Sequence, residues 1–148
     1  MYIDRQVYSP KEKKMASVIR EIIIDASQEK VWDVINDFEN GPLRMAPGAF
    51  VDCRLETPGV RAMTFADGTV ARERLIARDA QAHRIVWGWV ADNVTHDNTS
   101  MQVFAEQDGK SRLVWIHDTL PDELTGWLAT AMDGLVPVFQ QTLKDGRL

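Results

Sequence analysis

Residues 121–143 of the chain are PDELTGWLATAMDGLVPVFQQTL, and apolar side chains recur in this segment every three or four positions. That spacing places them on one face of a long α-helix. The predicted apolar stripe consists of Leu124, Trp127, Leu128, Ala131, Leu135, Val138, Phe139 and Thr142. Charged residues such as Glu123 and Asp133 fall mostly elsewhere, so the stripe is available to pack against other elements.

Upstream of this helix the pattern changes to the alternation of apolar and polar residues that is typical of β-strands. Residues 17–25 predict a first strand, and two short helices follow it, the first with Ser27 as its N-cap and the second at residues 43–45. Six further strands are predicted at residues 50–56, 61–65, 69–77, 84–91, 99–106 and 112–120.

The order of these elements predicts an α+β fold. An antiparallel sheet of about seven strands curls, and its concave face needs a cover. The helix at residues 121–143 is the natural cover, so we expect a curved sheet wrapped around a long C-terminal helix, with two short helices after the first strand. Such an interior is either packed solid or left partly hollow, and the hollow form binds apolar small molecules.

Two residues within the final helix, Gly134 and Pro137, are poor helix formers. They predict a bend in the second half of the helix. The bend either lets the helix follow the curve of the sheet or opens a mouth for a ligand.

Length, charge and composition exclude several classes of protein. The 148 residues suit one domain, predicted at residues 17–146 behind an N-terminal arm at residues 1–16. With 17 basic and 22 acidic residues, and no basic patch interleaved with aromatic residues, a nucleic-acid partner is not expected. No segment suits a signal peptide or a membrane span, so we predict a cytoplasmic protein without stable membrane insertion. Cys53 is the only cysteine, which excludes a disulfide framework.

Three sequence motifs in this order resemble the START-like or SRPBCC superfamily. They are DASQEKVWDVINDFEN at residues 25–40, ERLIARDAQAHRIVW at residues 73–87 and SRLVWIHDTLP at residues 111–121. The superfamily has the helix-grip fold and includes the birch pollen allergen, plant abscisic acid receptors and bacterial polyketide cyclase-like proteins. The resemblance covers most of residues 17–146.

The resemblance implies a cavity between the sheet and the C-terminal helix that holds lipids, hormones, polyketides or other flat apolar molecules. Compared with the abscisic acid receptors, Glu73 occupies the position of a cavity carboxylate and Trp87 that of an aromatic wall residue. The receptors' gate loop and hormone-binding lysine have no counterpart here, because the corresponding hairpin is the short FADGTV at residues 65–70. Hormone reception is therefore not expected.

Glu73 is the main candidate for a polar group inside the cavity. On its strand it shares a face with Ala71 and Leu75, while Arg72 and Arg74 share the opposite face. Two arginines are harder to desolvate than one carboxylate, so we expect the Glu73 face to point inward. There Glu73 would be a carboxylate paired with arginine or water, a ligand-binding group, or a catalytic general acid or base.

Four tryptophans are predicted to surround the interior. Trp87 and Trp89 lie on one face of their strand, Trp115 lies on the last strand, and Trp127 comes from the helix. Each indole buries about 150–250 Å², so leaving these rings in contact with water would be costly. Either the rings pack the core shut or a ligand covers them.

The remaining candidates are weaker. His117 shares a face with Trp115 and is predicted to be either a ligand anchor or a hydrogen-bonded core histidine. The neighbouring pairs His117-Asp118 and His96-Asp97 cannot cooperate directly, because adjacent strand residues point to opposite faces. Neither a metal site nor a cofactor is predicted. Further ligand-binding candidates are Thr99 and Met101 on the sixth strand, and Ala131 and Leu135 on the helix stripe.

Three functional hypotheses are compatible with these features. We favour a protein that binds a small hydrophobic or aromatic molecule, for transport or sensing, over an enzyme. The alternative is a polyketide cyclase or aromatase-like enzyme in which Glu73 acts as general acid and base. The third is an interaction module whose interior is filled by its own side chains, which would suit a homodimer formed through the arm or an edge strand.

Overall fold

The computed structural model describes residues 2–8 and 16–144, with side chains from residue 17 onward. Within these described ranges, eight strands and three α-helices follow one another. They are β1 (Tyr2–Tyr8), β2 (Ala16–Ile24), α1 (Gln28–Ile35), α2 (Gly41–Met45), β3 (Phe50–Thr57), β4 (Val60–Phe65), β5 (Val70–Asp79), β6 (Arg84–Trp89), β7 (His96–Ala105), β8 (Ser111–Leu120) and α3 (Thr125–Thr142). The α+β fold and the element order predicted from the sequence are confirmed.

The eight strands form one antiparallel sheet in the order β1-β2-β8-β7-β6-β5-β4-β3. The seven predicted strands are all present. The additional strand β1 comes from the predicted arm and pairs with β2 along its free edge. The rest of the arm, residues 9–15, and the predicted domain end at residues 145–146 lie outside the described residues. Register shifts between Leu75 and Ala77 on β5, and at both ends of β3, interrupt the ladder and favour bending of the sheet.

The two short helices follow β2 as predicted. The Ser27 side chain caps α1 by accepting a hydrogen bond from the Lys30 amide at 3.3 Å, and Glu29 lies in the first turn. Arg44 of α2 forms ion pairs with Asp33 and Asp37, and the hydrogen bond to Asp33 raises the pKa of Arg44. These pairs hold the two helices together at one end of the sheet.

Helix α3 lies across the sheet and packs on β2 and α2. It begins later than predicted, because Asp122–Leu124 form a 3-10 turn. Helical backbone continues through Gly134 and Pro137. Arg20 of β2 has a side chain that is only 1% exposed, and it donates to both carboxylate oxygens of Asp133 on α3, at 2.6 and 3.1 Å. This ion pair ties α3 to the sheet.

The face of α3 that is buried differs from the predicted stripe. Leu128 and Phe139 are buried as expected, and Met132 and Val136 join them. Trp127, predicted to be part of the cover, is 58% exposed. Among the helices within the described residues, none combines the length and the apolar character that crossing a membrane requires.

Candidate functional site

A cavity of about 120 Å³ lies between the inner face of the sheet and α3. Strands β3 to β8 supply one wall, α3 supplies the other, and α1 and α2 close one end. All ten residues proposed from the sequence border it. They are Glu73, Trp87, Trp89, Thr99, Met101, Trp115, His117, Trp127, Ala131 and Leu135.

The size of the cavity limits what it can hold. An engineered apolar cavity of about 150 Å³ binds benzene, whereas pockets for drug-sized ligands usually have about 300–1,000 Å³. The space therefore suits one aromatic ring or a short aliphatic group as it stands. Four methionines border it, and their unbranched side chains can shift to fit a larger guest. They are Met45, Met63, Met101 and Met132.

Glu73 forms a buried ion pair with Arg61, its direct partner across the β4–β5 ladder. Arg61 Nε and Nη2 donate to Glu73 Oε1 at 2.8 and 2.6 Å, and Trp87 Nε1 donates to Oε2 at 2.9 Å. Arg61 Nη1 donates to the Phe38 carbonyl at 2.8 Å, and its guanidinium lies 4.3 Å from the centre of the Phe38 ring. Both oxygens of Glu73 thus have donors from the protein itself.

His117 forms the second polar cluster of the cavity wall. Its Nε2 lies 2.5 Å from Asp97 Oδ1, and the other oxygen of Asp97 accepts from the Trp89 amide at 2.9 Å. The His117 side chain is 5% exposed and that of Asp97 is fully buried. Nδ1 of His117 has no hydrogen-bond partner among the described residues. Asp97 therefore orients the imidazole and leaves one ring nitrogen available.

The close approach of β6 to β7 brings Asp97 into position. A Cβ atom added at Gly88 would lie 2.6 Å from the carbonyl oxygen of Asp97, so only glycine fits there without movement of the backbone. The partner of His117 is thus Asp97, on the neighbouring strand, and neither of the adjacent His-Asp pairs in the sequence forms an internal contact of this kind.

The tryptophans differ in their exposure. Trp87 and Trp115 are buried, and the Trp115 ring packs against Phe139 with centroids 5.2 Å apart. Trp89 contacts His117 at 4.8 Å and Trp127 at 5.6 Å between ring centroids. Trp89 and Trp127 also border an outer groove, which is bounded by the β4–β5 hairpin, the residues after β6, and Leu124. The Trp89–Trp127 pair therefore lies between the cavity and the protein surface.

Two buried polar atoms of the cavity residues have no hydrogen-bond partner within the described part of the chain. They are Thr99 Oγ1 and Trp115 Nε1. Thr99 lies directly opposite His117 in the β7–β8 ladder, and the next inward-facing pair along the ladder is Met101 and Trp115. Thr99, His117 and Trp115 are thus neighbours in the β7–β8 ladder, and we call these three residues the polar strip of the wall.

Sequence analysis missed Arg61 and Asp97. Arg61 shares a strand face with Met63 and Phe65, because residues two apart on a strand point the same way. Its place on this apolar face was a signal that it points inward. Asp97 lies two residues before Thr99 and therefore shares its face, but its contact with His117 depends on the cross-strand register. Within residues 17–144, no three acidic, histidine or cysteine side chains converge as metal ligands.

A protein-family model supports the resemblance seen in the motifs. The model described as polyketide cyclase / dehydrase and lipid transport matches residues 15–145. No curated protein matches the sequence.

Solved structures share the fold at low sequence identity. The protein XoxI from Bacillus cereus has a TM-score of 0.74 and 22% identity, over 87% of this chain and 96% of that one. A START superfamily protein from Mycobacterium smegmatis has a TM-score of 0.70 and 14% identity, over 86% and 96%. The ZhuI aromatase/cyclase from Streptomyces sp. R1128 has a TM-score of 0.63 and 18% identity, over 87% and 91%. The helix-grip fold is therefore confirmed.

Proposed function

Because this chain belongs to the polyketide cyclase / dehydrase and lipid transport family, we propose that it binds a small hydrophobic or aromatic molecule between the sheet and α3. Transport or sensing of that molecule would be its role. The observation that carries the proposal is the cavity of about 120 Å³, whose wall is mostly aromatic and aliphatic. A dry apolar space of this size gains free energy when an apolar guest fills it.

The arrangement of the tryptophans supports the same proposal. Trp87 and Trp115 border the cavity without filling it, and Trp89 and Trp127 border both the cavity and the outer groove. A flat guest would cover ring surface that no protein atom covers now, and aromatic pairs add about 0.5–1.5 kcal/mol beyond the area buried.

Titration of single-ring aromatic compounds, followed by intrinsic tryptophan fluorescence, tests binding. We expect saturable changes, because indoles line the proposed site. Ala131→Leu would place a larger side chain at the cavity wall and should weaken binding at least tenfold. Thr130→Leu is the matched control on the exposed side of the same helix turn, and it should leave binding unchanged. The absence of a saturable response across the panel would contradict the proposal.

A second candidate function is proton transfer on a bound carbonyl compound, as in a cyclase or aromatase. The sequence-based version gives Glu73 the role of general acid and base. The free Nδ1 of His117, with Nε2 held by Asp97, favours His117 instead, because an oriented imidazole with one open nitrogen suits this chemistry. Both Glu73 oxygens already accept hydrogen bonds from Arg61 and Trp87.

Deuterium uptake separates these roles. The protein would be incubated in D₂O with benzoylacetone, a one-ring β-diketone, and exchange at the carbon between the carbonyls measured by mass spectrometry. If His117 transfers the proton, His117→Gln should abolish the catalysed exchange and Glu73→Gln should retain it. The reverse pattern would support the Glu73 assignment, and exchange at the uncatalysed rate would leave binding as the function.

A further inference from the structure

The polar strip of the cavity wall offers hydrogen bonds that the protein does not use. Thr99 is 1% exposed and Trp115 is 6% exposed, yet no described residue forms a hydrogen bond with Thr99 Oγ1 or Trp115 Nε1. Buried polar side-chain atoms are usually hydrogen-bonded, so two unpaired atoms on neighbouring strands need an explanation. Both residues border the same cavity, and an occupant of that cavity is the simplest partner.

The chemistry of these atoms defines the group they would bind. An indole N–H is a donor only, so Trp115 Nε1 requires an acceptor. A threonine hydroxyl donates or accepts, and it can share the same acceptor. Nδ1 of His117, opposite Thr99, accepts when Nε2–H donates to Asp97. By its chemistry, an oxygen atom on the occupant can accept from the first two groups, and a hydroxyl group can also donate to the third.

The contacts of the charged side chains restrict the charge of the occupant. Arg61 is paired with Glu73, and the Asp97 carboxylate is held by hydrogen bonds with His117 Nε2 and the Trp89 amide. Of the residues that the structure describes at the cavity border, no other carries a charged side chain. A charged group entering this space would lose its hydration without gaining a free counter-ion, which strongly disfavours it.

We propose, on the basis of the binding function proposed above, that the cavity selects an uncharged, single-ring aromatic molecule with a carbonyl or hydroxyl oxygen. That oxygen accepts a hydrogen bond from Trp115 Nε1 and a second from Thr99 Oγ1. Both atoms are shielded from water without a ligand, and a shift of the neighbouring Met101, which is directly opposite Trp115, gives the oxygen access.

Three probes of nearly identical shape test this selection. Acetophenone carries a neutral acceptor oxygen, α-methylstyrene replaces that oxygen with a methylene group, and benzoate is an anion. Calorimetry avoids the loss of a fluorophore in Trp115 variants. We expect acetophenone to bind at least about a hundredfold more tightly than benzoate, because a buried anion would be unpaired.

Two variants isolate the hydrogen bonds. Trp115→Phe should weaken acetophenone binding by about tenfold and Thr99→Val by about threefold to tenfold, while each changes α-methylstyrene binding by less than about twofold. Without ligand, Thr99→Val should be at least as resistant to urea as the wild type, because it removes a buried hydroxyl that has no partner. This stability measurement also shows that the variant is folded.

The outcomes distinguish the two proposals. If α-methylstyrene binds and the variants weaken it as much as acetophenone, or if benzoate binds as tightly as acetophenone, the selection for a neutral oxygen is wrong and cavity binding stands. If none of the three probes binds the wild-type protein, both proposals are wrong.

Discussion

Arg61 and Glu73 illustrate how single residues hold the site together. Both are about 5% exposed, and Arg61 also lies against the rings of Phe38 and Trp87. A buried ion pair adds little net stability compared with apolar residues, but the loss of one partner leaves an unpaired charge in the interior. The pair therefore makes this part of the wall intolerant of single polar changes.

Glu73→Gln tests the energetic role of the pair. The substitution leaves the Arg61 guanidinium buried without a carboxylate, so the free energy of unfolding should fall by about 3–5 kcal/mol. Urea denaturation measures the change. Glu56→Gln, which affects the exposed ion pair between Glu56 of β3 and Arg72 of β5, should have almost no effect. A stable Glu73→Gln protein would show that the ion pair is dispensable.

The thiol of Cys53 should be unreactive in the folded protein. Burial, the largest effect, raises its pKa to about 11 from 9.0; nearby Arg61 opposes this and Glu73 adds to it. The thiolate is the reactive form, so at pH 7 its population is about a hundredfold below that of an ordinary thiol. Labelling with a disulfide reagent should be slow in buffer and fast in urea. Fast labelling in buffer would contradict this.

The same pKa change makes stability depend on pH. The folded-state pKa lies above the unfolded value, so the thiol contributes its full stability below pH 9. That contribution is lost as the pH rises from about 9 to 11. The difference in unfolding free energy between the wild type and Cys53→Ala should shrink over this interval. A constant difference would contradict the pKa change.

At the residue level, the alternating direction of side chains in the strands was sufficient to identify many residues of the cavity wall. It placed Glu73, Trp87, Trp115 and His117 on inward faces, because side-chain direction in a strand has a period of two. It did not reveal that Arg61 pairs with Glu73 or that Asp97 contacts His117. Those contacts depend on which residues of neighbouring strands lie side by side, and register is a property of the assembled sheet.

At the level of elements, the close approach of β6 to β7 at Gly88 determines the position of Asp97, the partner of His117. Gly88 allows the backbone of β6 to approach Asp97, and the Trp89 amide then fixes the Asp97 carboxylate. This contact joins two strands and is separate from the Arg20–Asp133 ion pair that ties α3 to β2, so damage to it should affect the cavity without breaking that tie.

Gly88→Ala tests the contact between β6 and β7. Its Cβ would lie 2.6 Å from the Asp97 carbonyl oxygen, so the strands must separate. We expect a loss of stability of about 2 kcal/mol or more and an altered His117 imidazole NMR signal. Gly134→Ala is the matched control, because open space surrounds Gly134 on the exposed side of α3. It should stabilise the protein by up to about 1 kcal/mol.

The N-terminal end of α3 shows that the spacing of apolar residues does not by itself predict which of them are buried. The spacing of apolar residues predicted the helix, but it also predicted that Trp127 would be covered. The 3-10 turn at Asp122–Leu124 precedes α3, and Trp127 in the first turn of α3 leans toward Trp89 at the surface while Met132 and Val136 face inward. Tertiary packing chooses which part of a broad apolar surface is buried, and the sequence period alone does not.

At the level of the whole molecule, the order of patterned segments predicted the fold because each segment has one period. Alternating strands and one long amphipathic helix leave few arrangements in which every apolar face is covered. The volume of the cavity could not be predicted, because it is a small difference between the space enclosed and the side chains that fill it.

Removal of residues 1–15 tests the contribution of β1. The strand pairs with β2 along the edge of the sheet, and its loss would expose the backbone of β2. The shortened chain should fold and retain ligand binding, because the described residues that border the cavity lie on β3 to β8 and on the three helices. An exposed edge strand pairs readily with another copy, so sedimentation should detect more self-association than in the full chain. Failure to fold would show that β1 is essential.

The position of Trp127 has a consequence for the speed of exchange. Its ring belongs to the boundary of both the cavity and the outer groove, so a guest that uses this route must pass while the two indoles are apart. Residence time then reflects how often the rings separate, and not only how well the guest fits. Trp127→Ala should accelerate arrival and escape together in stopped-flow mixing, with a much smaller effect at equilibrium. Trp127 at the surface would thus control how long a ligand stays bound, and residues inside the cavity would determine which ligand binds.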